Sequence, residues 1–311
     1  MKSIFFNENG NLRSGWRASI FLITYLLLAG AFIFAATVLL AGLPIGPSIG
    51  SYLPITITFA ISSVIAIVLG WLYGKFFEGV PFKALGCAFR EKWILHLVAG
   101  CLVGAFSIAT AVVVAAAAGG LKLTINKDSS SSAIWSSLAV TFLVFLVGAV
   151  SEETLFRGYL LQTLTRSRQV FAGVAVTSVL FGLAHMGNPG VSRLAILNTF
   201  LAGIWFAVAY LRTRDLWFPL GIHLIWNWMQ GPVFGINVSG IGDLSMDPVM
   251  RTADVGPPWL TGGNYGIEAG AACTFALVVF TGVIYLLPWP KPTAKMLELT
   301  SKETLGRLNL E

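Results

Sequence analysis

Long apolar stretches recur along this chain, and short polar segments separate them. A helix needs roughly 20 mostly apolar residues to cross a bilayer. The pattern predicts an all-α fold: a polytopic integral membrane helical bundle of about eight transmembrane helices. The apolar stretches lie near residues 16–42, 52–74, 93–119, 134–164, 170–187, 194–211, 216–233 and 267–288.

The composition agrees with a membrane location. Hydrophobic residues make up 56% of the 311 positions and charged residues 11%, whereas about a quarter of a soluble domain is charged. The first stretch is too long for the apolar region of a cleaved secretory signal, so we interpret it as a retained helix. The sequence therefore indicates a multi-pass protein of the cell membrane.

Lysine and arginine predict the orientation of the chain. They are concentrated before the first stretch, in every second loop and after the last stretch, and such an excess marks the cytoplasmic side. Both termini are therefore predicted to be cytoplasmic. The net charge of +6 follows the loops instead of forming one patch, so we expect contacts with the lipid bilayer and no nucleic-acid partner.

Two adjacent carboxylates, Glu152 and Glu153, interrupt the fourth apolar stretch. An ionisable group in hydrocarbon costs about 2.5–3.5 kcal/mol or more, and it persists only when it is paired or used. Arg157 lies four positions after Glu153, a spacing that favours an ion pair on one helix face. Glu152 is then left to face the bundle interior. The alternative is a cluster of charges at the end of a shorter helix.

Three further polar residues occur inside apolar stretches: His185 in the fifth, and His223 and Asn227 in the seventh. The spacing of His223 and Asn227 places both on one helix face. A carboxylate at low dielectric can take a proton from water and return it to a leaving amine. Imidazole and amide groups can hold that water or stabilise an oxyanion. With Glu152, these residues form a sufficient set for hydrolysis. His96, alone in the third stretch, is predicted to be a packing residue.

The predicted helix ends place His185 and His223 at different depths in the membrane. If the fifth helix begins at Val170, His185 lies about 22 Å along it, whereas His223 lies only about 10 Å from Leu216. The two histidines can meet only if the fifth helix begins outside the bilayer, tilts strongly, or has other edges.

Three spaced motifs carry a family resemblance. The patterns Glu152-Glu153-x-x-x-Arg157, Phe181-x-x-x-His185 and His223-x-x-x-Asn227 resemble the signature motifs of the CPBP family of intramembrane peptidases, which includes CAAX proteases of the Rce1 type and the Abi proteins. The resemblance covers residues 134–231 as a catalytic core. Residues 1–133 are then N-terminal transmembrane helices, and residues 232–311 an outward loop, the last transmembrane helix and a cytoplasmic tail.

The resemblance implies an intramembrane endopeptidase that acts on membrane-associated or prenylated CAAX-type peptides. Glu152 would activate water with His185, while His223 and Asn227 would stabilise the oxyanion. Glu153, Arg157 and Phe181 would support the site. Family members are often labelled metallopeptidases, and Glu152, His185 and His223 could bind a divalent metal such as zinc in an open three-ligand site. The sequence has no His-Glu-x-x-His motif, and we favour water activated directly by glutamate, without a cofactor.

Two other functions stay open. A catalytically silent scaffold or immunity protein could use the same fold, because fold does not fix function. A proton-coupled transporter would also hold Glu and His in mid-membrane, but such folds usually show internal repeats. The expected partners are a peptide or protein substrate at the membrane and the bilayer itself, and no oligomeric state is predicted. The outward loop 234–266 is expected to cap the bundle without contributing chemistry.

Overall fold

The helical pattern of the sequence is reproduced in three dimensions. A computed structural model describes residues 2–7, 10–43 and 52–300, so the end of the predicted tail, 301–311, lies outside the described residues. Each of the eight apolar stretches coincides with a helix, and the chain is a polytopic helical membrane protein. The helices are α1 (Ser14–Ala41), α2 (Leu53–Glu78), α3 (Trp93–Ala117), α4 (Ser131–Glu153), α5 (Val170–Ala184), α6 (Arg193–Thr213), α7 (Trp217–Trp228) and α8 (Ala271–Leu286).

Two of these helices continue past their regular part. A π-helical segment, Thr154–Leu160, and a further α-helical turn, Leu161–Arg166, extend α4, and a π-helical segment, Met229–Val233, extends α7. Within the described residues, α1, α2, α3, α6 and the extended α4 are long and apolar enough to cross a membrane, and α5 and α8 are shorter apolar helices.

A small two-stranded β-sheet lies at one end of the bundle. Strands β1 (Leu121–Ile125) and β2 (Met250–Asp254) pair antiparallel, with Leu121 opposite Asp254. The pairing ties the α3–α4 connection to the loop before α8, so we call this end of the molecule the sheet end. The shorter helical turns are Lys2–Phe5, Phe82–Leu85, Gly242–Ser245, Pro258–Thr261, Gly263–Tyr265, Ile267–Ala269 and Ala294–Thr300.

The opposite end, which we call the basic end, contains the α2–α3, α4–α5 and α6–α7 connections. Glu78 at the end of α2 is buried there and pairs with Arg166 of α4 and with Arg17 of α1. His96 of α3 pairs in the same region with Asp215, which precedes α7. His96 is therefore a buried packing residue, as its isolation in the sequence predicts.

Helices α3 and α7 run parallel and touch through glycines. A Cβ atom on Gly100 would lie 2.2 Å from the carbonyl oxygen of Phe218, and one on Gly221 would lie 2.4 Å from that of Leu97. Real Cβ contacts are never this short, so the two backbones are in direct contact. Small residues four positions apart permit such approach between membrane helices, and Gly104 continues the row against Ile222.

The position at which α7 begins explains how His185 and His223 reach the same depth. The Leu216 amide donates to the Gly86 carbonyl, 2.9 Å away, and Gln162 of α4 donates to the neighbouring Leu85 carbonyl, also at 2.9 Å. Helix α7 therefore begins at about the same depth as Gln162. This position is farther from the basic end than the start of α5.

Equal path lengths then bring the polar residues together. Fourteen residue steps separate Glu152 from Arg166 along α4 and its extension, and fifteen separate Val170 from His185 along α5. Because Arg166 and Val170 flank one short turn, Glu152 and His185 have the same depth. Because α7 begins farther from the basic end, His223 lies close to Glu152 and His185.

Candidate active site

Glu152 is at the centre of the converging polar residues. Its Oε2 atom lies 3.7 Å from Nε2 of His223 and 4.0 Å from Nε2 of His185. The same oxygen is buried and has no hydrogen-bond partner among the described residues. Side chains from α4, α5 and α7 therefore meet around one carboxylate, as the sequence predicted.

The backbone around these residues is irregular. The π-helical segment Thr154–Leu160 begins directly after Glu153, and its wider turn is shown by the Leu161 amide, which donates to the Phe156 carbonyl five residues earlier. The second π-helical segment begins two residues after Asn227. π-Helical turns are rare and occur frequently at functional sites.

Glu153 faces a different environment from Glu152. Its Oε1 atom accepts a hydrogen bond from Nη1 of Arg157 at 3.2 Å and lies 2.9 Å from Nδ1 of His223. Arg157 is fully buried and also donates to the Gly203 carbonyl at 3.1 Å. The sequence predicted the Glu153–Arg157 pair but not the contact with His223. Glu153 therefore connects the buried arginine to an imidazole of the site.

Aromatic rings fix the two imidazoles. Nδ1 of His185 donates to the Phe181 carbonyl at 2.8 Å, an orientation that directs Nε2 towards Glu152. The ring of Phe206 stacks on that of His223 with centroids 4.6 Å apart. Phe181, predicted as a supporting residue, lies 4.8 Å from the His185 ring and under the Arg157 guanidinium. Both rings are thus held by packing as well as by hydrogen bonds.

These side chains line a cavity of about 670 Å³. Asn227 lines it together with Glu152, His185 and His223. Its apolar wall includes Leu26 of α1 and Leu183 of α5, whose side chains are also 59% and 51% exposed at the protein surface. The apolar wall therefore reaches the lipid-facing surface of the bundle.

The cavity also has a polar region that the sequence analysis missed. Glu268 accepts hydrogen bonds at Oε2 from the amide and hydroxyl of Ser239, at 2.7 and 2.8 Å, and at Oε1 from Nε1 of Trp226, at 3.3 Å. Ser239 belongs to loop 234–266, so this loop lines the cavity, and the expectation that it contributes no chemistry stays a prediction. Glu268 is the second residue of the eighth apolar stretch and precedes α8, so hydropathy does not distinguish it from an ordinary charge before a helix.

The metal alternative requires three donors at bonding distance from one ion. Glu152, His185 and His223 are of the right chemical types. However, no group of three or more His, Cys, Asp or Glu side chains in the described part of the chain is arranged to hold a metal ion. This geometry therefore does not add support to a metal centre, and the metal alternative stays a prediction.

A family model and one of two related proteins are named as membrane peptidases. Residues 133–229 match the family model "Rce1-like: Type II CAAX prenyl endopeptidase Rce1-like". Over 135 residues, 42% of this chain, the sequence is 31% identical to the "Uncharacterized 24.3 kDa protein" of Escherichia coli, and the match spans 58% of that protein. Over 82 residues, 26% of this chain, it is 30% identical to the "Putative membrane peptidase YdiL" of Bacillus subtilis strain 168, of which the match spans 32%.

The chain thus covers less than two thirds of each of these relatives. The matched segment contains Glu152, Glu153, His185, His223 and Asn227, which are the residues that line or support the cavity. Residues 133–229 of this chain are therefore similar to the Rce1-like family of type II CAAX prenyl endopeptidases.

Proposed function

We propose that this protein is an intramembrane endopeptidase in which Glu152 activates water. One observation carries the proposal: a buried oxygen of Glu152, without a hydrogen-bond partner among the described residues, faces Nε2 of two histidines in a cavity. The distances of 3.7 and 4.0 Å are too long for direct hydrogen bonds. Polar groups at such separations are commonly bridged by water.

In the proposed reaction the water oxygen attacks the carbonyl carbon of the scissile bond, and its proton moves to Glu152. When the C–N bond breaks, Glu152 returns that proton to the leaving amine. His185 holds the water through Nε2, because its Nδ1–H is committed to the Phe181 carbonyl. The water is thus fixed by two side chains whose own orientations are fixed.

Asn227 and His223 stabilise the oxyanion in this proposal. The amide of Asn227 is a donor at every pH. The Nδ1–H of His223 points to Glu153, so the ring donates from Nε2 when it is protonated. Each such donor contributes about 2.7–4 kcal/mol to transition-state stabilisation in proteases. Glu153 and Arg157 support the ring and do not touch the substrate.

The proposed substrates are peptides that reach the site from the membrane. The cavity wall extends from Glu152 to the exposed side chains of Leu26 and Leu183, which supports entry from the lipid side. Prenylated CAAX-type peptides are the first to test, because the matched family is named for them. We also propose that both termini are cytoplasmic, since the connections at the basic end carry most of the loop lysines and arginines.

The test is cleavage of a quenched fluorescent peptide library, with prenylated CAAX peptides included, by purified protein in detergent. Glu152→Gln is compared with wild type and with Glu91→Gln, a matched change in the exposed α2–α3 connection. We expect wild type and the control to cleave and Glu152→Gln not to. Equal cleavage by a folded Glu152→Gln variant would contradict the proposal, and no cleavage by wild type would favour the scaffold or immunity function.

A further inference from the structure

The cavity has a second carboxylate besides Glu152. Glu268 lies in a group of side chains at the sheet end of the cavity, and we call this group the polar lobe. The polar lobe consists of Asn188, Asn198, Thr199, Ser239 and Glu268.

Among the described residues, no cation pairs with the carboxylate of Glu268. Within residues 2–7, 10–43 and 52–300, no Lys, Arg or His nitrogen lies within 4.0 Å of it. A carboxylate has about four acceptor positions, and three hydrogen bonds to Ser239 and Trp226 occupy part of them. Oε1 receives the longest of the three bonds, so it can accept from a further group.

The neighbouring phenol does not compensate this charge. Burial and, second, the negative charge of Glu268 raise the pKa of Tyr265 to about 12. Tyr265 is therefore neutral at physiological pH. The polar lobe thus presents one negative charge among neutral groups, in a cavity whose other walls are largely apolar, where water screens charges poorly.

The polar lobe is close to the proposed reaction centre. Trp226, which donates to Glu268, is the residue before Asn227 and lies three residues after His223. This spacing corresponds to less than one turn of helix. A group bound at Glu268 therefore belongs to a substrate residue near the scissile bond.

We propose that Glu268 selects peptides that carry a cationic group, such as a lysine side chain or an amino terminus, near the scissile bond. This inference rests on the proposed peptidase function and deepens it. A cation at Oε1 gains a charge-assisted hydrogen bond in a low-dielectric cavity. A substrate carboxylate in the same lobe would be repelled, so a free C-terminal carboxylate has to lie elsewhere in the cavity.

A purely structural role for Glu268 is the competing explanation, because its bonds to Ser239 anchor the loop at residues 237–241. Glu268→Gln separates the two roles. Glutamine keeps a carbonyl oxygen that can accept from Ser239 or Trp226, and it removes only the charge. A structural role alone would change the affinity for all peptides equally.

The experiment measures binding, so that it does not depend on turnover. Fluorescent peptide pools with lysine or N-acetyl-lysine at each successive position are titrated into purified Glu152→Gln protein. The second protein carries Glu268→Gln in the same background, and the third carries Glu298→Gln, a matched change at an exposed helix near the C-terminus. Fluorescence anisotropy gives the Kd ratio for each position.

We expect lysine to bind about tenfold more tightly than N-acetyl-lysine at one position, which corresponds to about 1.4 kcal/mol. Glu268→Gln should reduce this ratio to near one, and Glu298→Gln should leave it unchanged. An unchanged ratio in Glu268→Gln, an equal loss for both pools, or no preference or no binding in the parent protein would each overturn the inference. If binding follows the expected pattern but wild type cleaves nothing, the proposed function alone fails.

Discussion

The carboxylate of Glu153 lies 2.9 Å from Nδ1 of His223, and this contact joins α4 to α7 inside the bundle. The same oxygen accepts from Arg157. Glu152, its neighbour in the chain, instead has a buried oxygen with no hydrogen-bond partner in the described structure. Adjacent positions on a helix point about 100° apart, so one glutamate supports the fold and the other is available for chemistry.

Glu153→Gln is expected to destabilise the protein. The substitution leaves the buried charge of Arg157 without its partner, and breaking a buried pair in this way costs about 3–5 kcal/mol. Thermal unfolding in detergent should show a clearly lower Tm than wild type. The double variant Glu153→Gln/Arg157→Met removes the orphaned charge and should recover part of the loss. A wild-type Tm for Glu153→Gln would contradict this role.

Glu152→Gln should lower the activity but leave the thermal stability unchanged. Removal of the proposed general base should lower kcat about 10²-fold or more, whereas Tm should stay close to that of wild type because no hydrogen bond to the buried oxygen is lost. Steady-state kinetics and thermal unfolding on the same preparation check both parts. A large fall in Tm would mean that Glu152 is structural instead.

Asn227→Ala should lower kcat by about 10²–10³-fold, the effect of losing one oxyanion donor, with little change in KM. Asn264→Ala is the control, because Asn264 is exposed and its hydrogen bond to Asn237 uses only the backbone carbonyl. Michaelis–Menten measurements on a cleaved library peptide distinguish the two parameters. An increase in KM alone would indicate that Asn227 binds the substrate in its ground state.

Gly221→Ala should reduce both stability and activity. The added Cβ would meet the Leu97 carbonyl at 2.4 Å, so α7 must move away from α3 and carry His223 with it. Gly30→Ala is the matched control in α1, where a Cβ would meet nothing within 4 Å. Tm and kcat should both fall in the first variant and neither in the second. Normal activity in Gly221→Ala would show that the site tolerates displacement of α7.

Removal of divalent metals is expected to leave activity unchanged. The described residues include no His, Cys, Asp or Glu group arranged to hold a metal ion, and direct activation of water by Glu152 requires none. The measurement is cleavage after prolonged treatment with a chelator, followed by addition of zinc. Activity that is lost with the chelator and restored by zinc would support the open three-ligand site instead.

Hydropathy alone was sufficient to predict the helical membrane fold, because the bilayer demands long apolar segments wherever the chain crosses it. The cost of burying ionisable groups then identified Glu152, His185 and His223. The depth of α7 could not be predicted in the same way. It depends on long-range contacts at the basic end, such as Leu216 with Gly86 and His96 with Asp215, which no local pattern encodes.

Two site features depend on contacts distant in sequence. The bond between Glu153 and His223 joins residues 70 positions apart, so helix periodicity could show only the local partner, Arg157. Glu268 stands at the edge of its apolar stretch and resembles an ordinary charge before a helix. Only the folded loop, which brings Ser239 against it, places it in the cavity.

The π-helical segment Thr154–Leu160 has a consequence for how this chain tolerates insertions and deletions. A π turn contains one residue more than an α turn at the same place. Deletion of one residue between 154 and 160 would remove the wider turn and leave the two flanking parts facing nearly as they do, whereas keeping every residue in a regular α-helix would rotate everything beyond the segment by about 100°. Arg166 could then no longer face Glu78 while Glu152 faced the histidines. The π turn therefore absorbs the extra residue and keeps the register between two halves of one helix, and each half contacts its own buried partners.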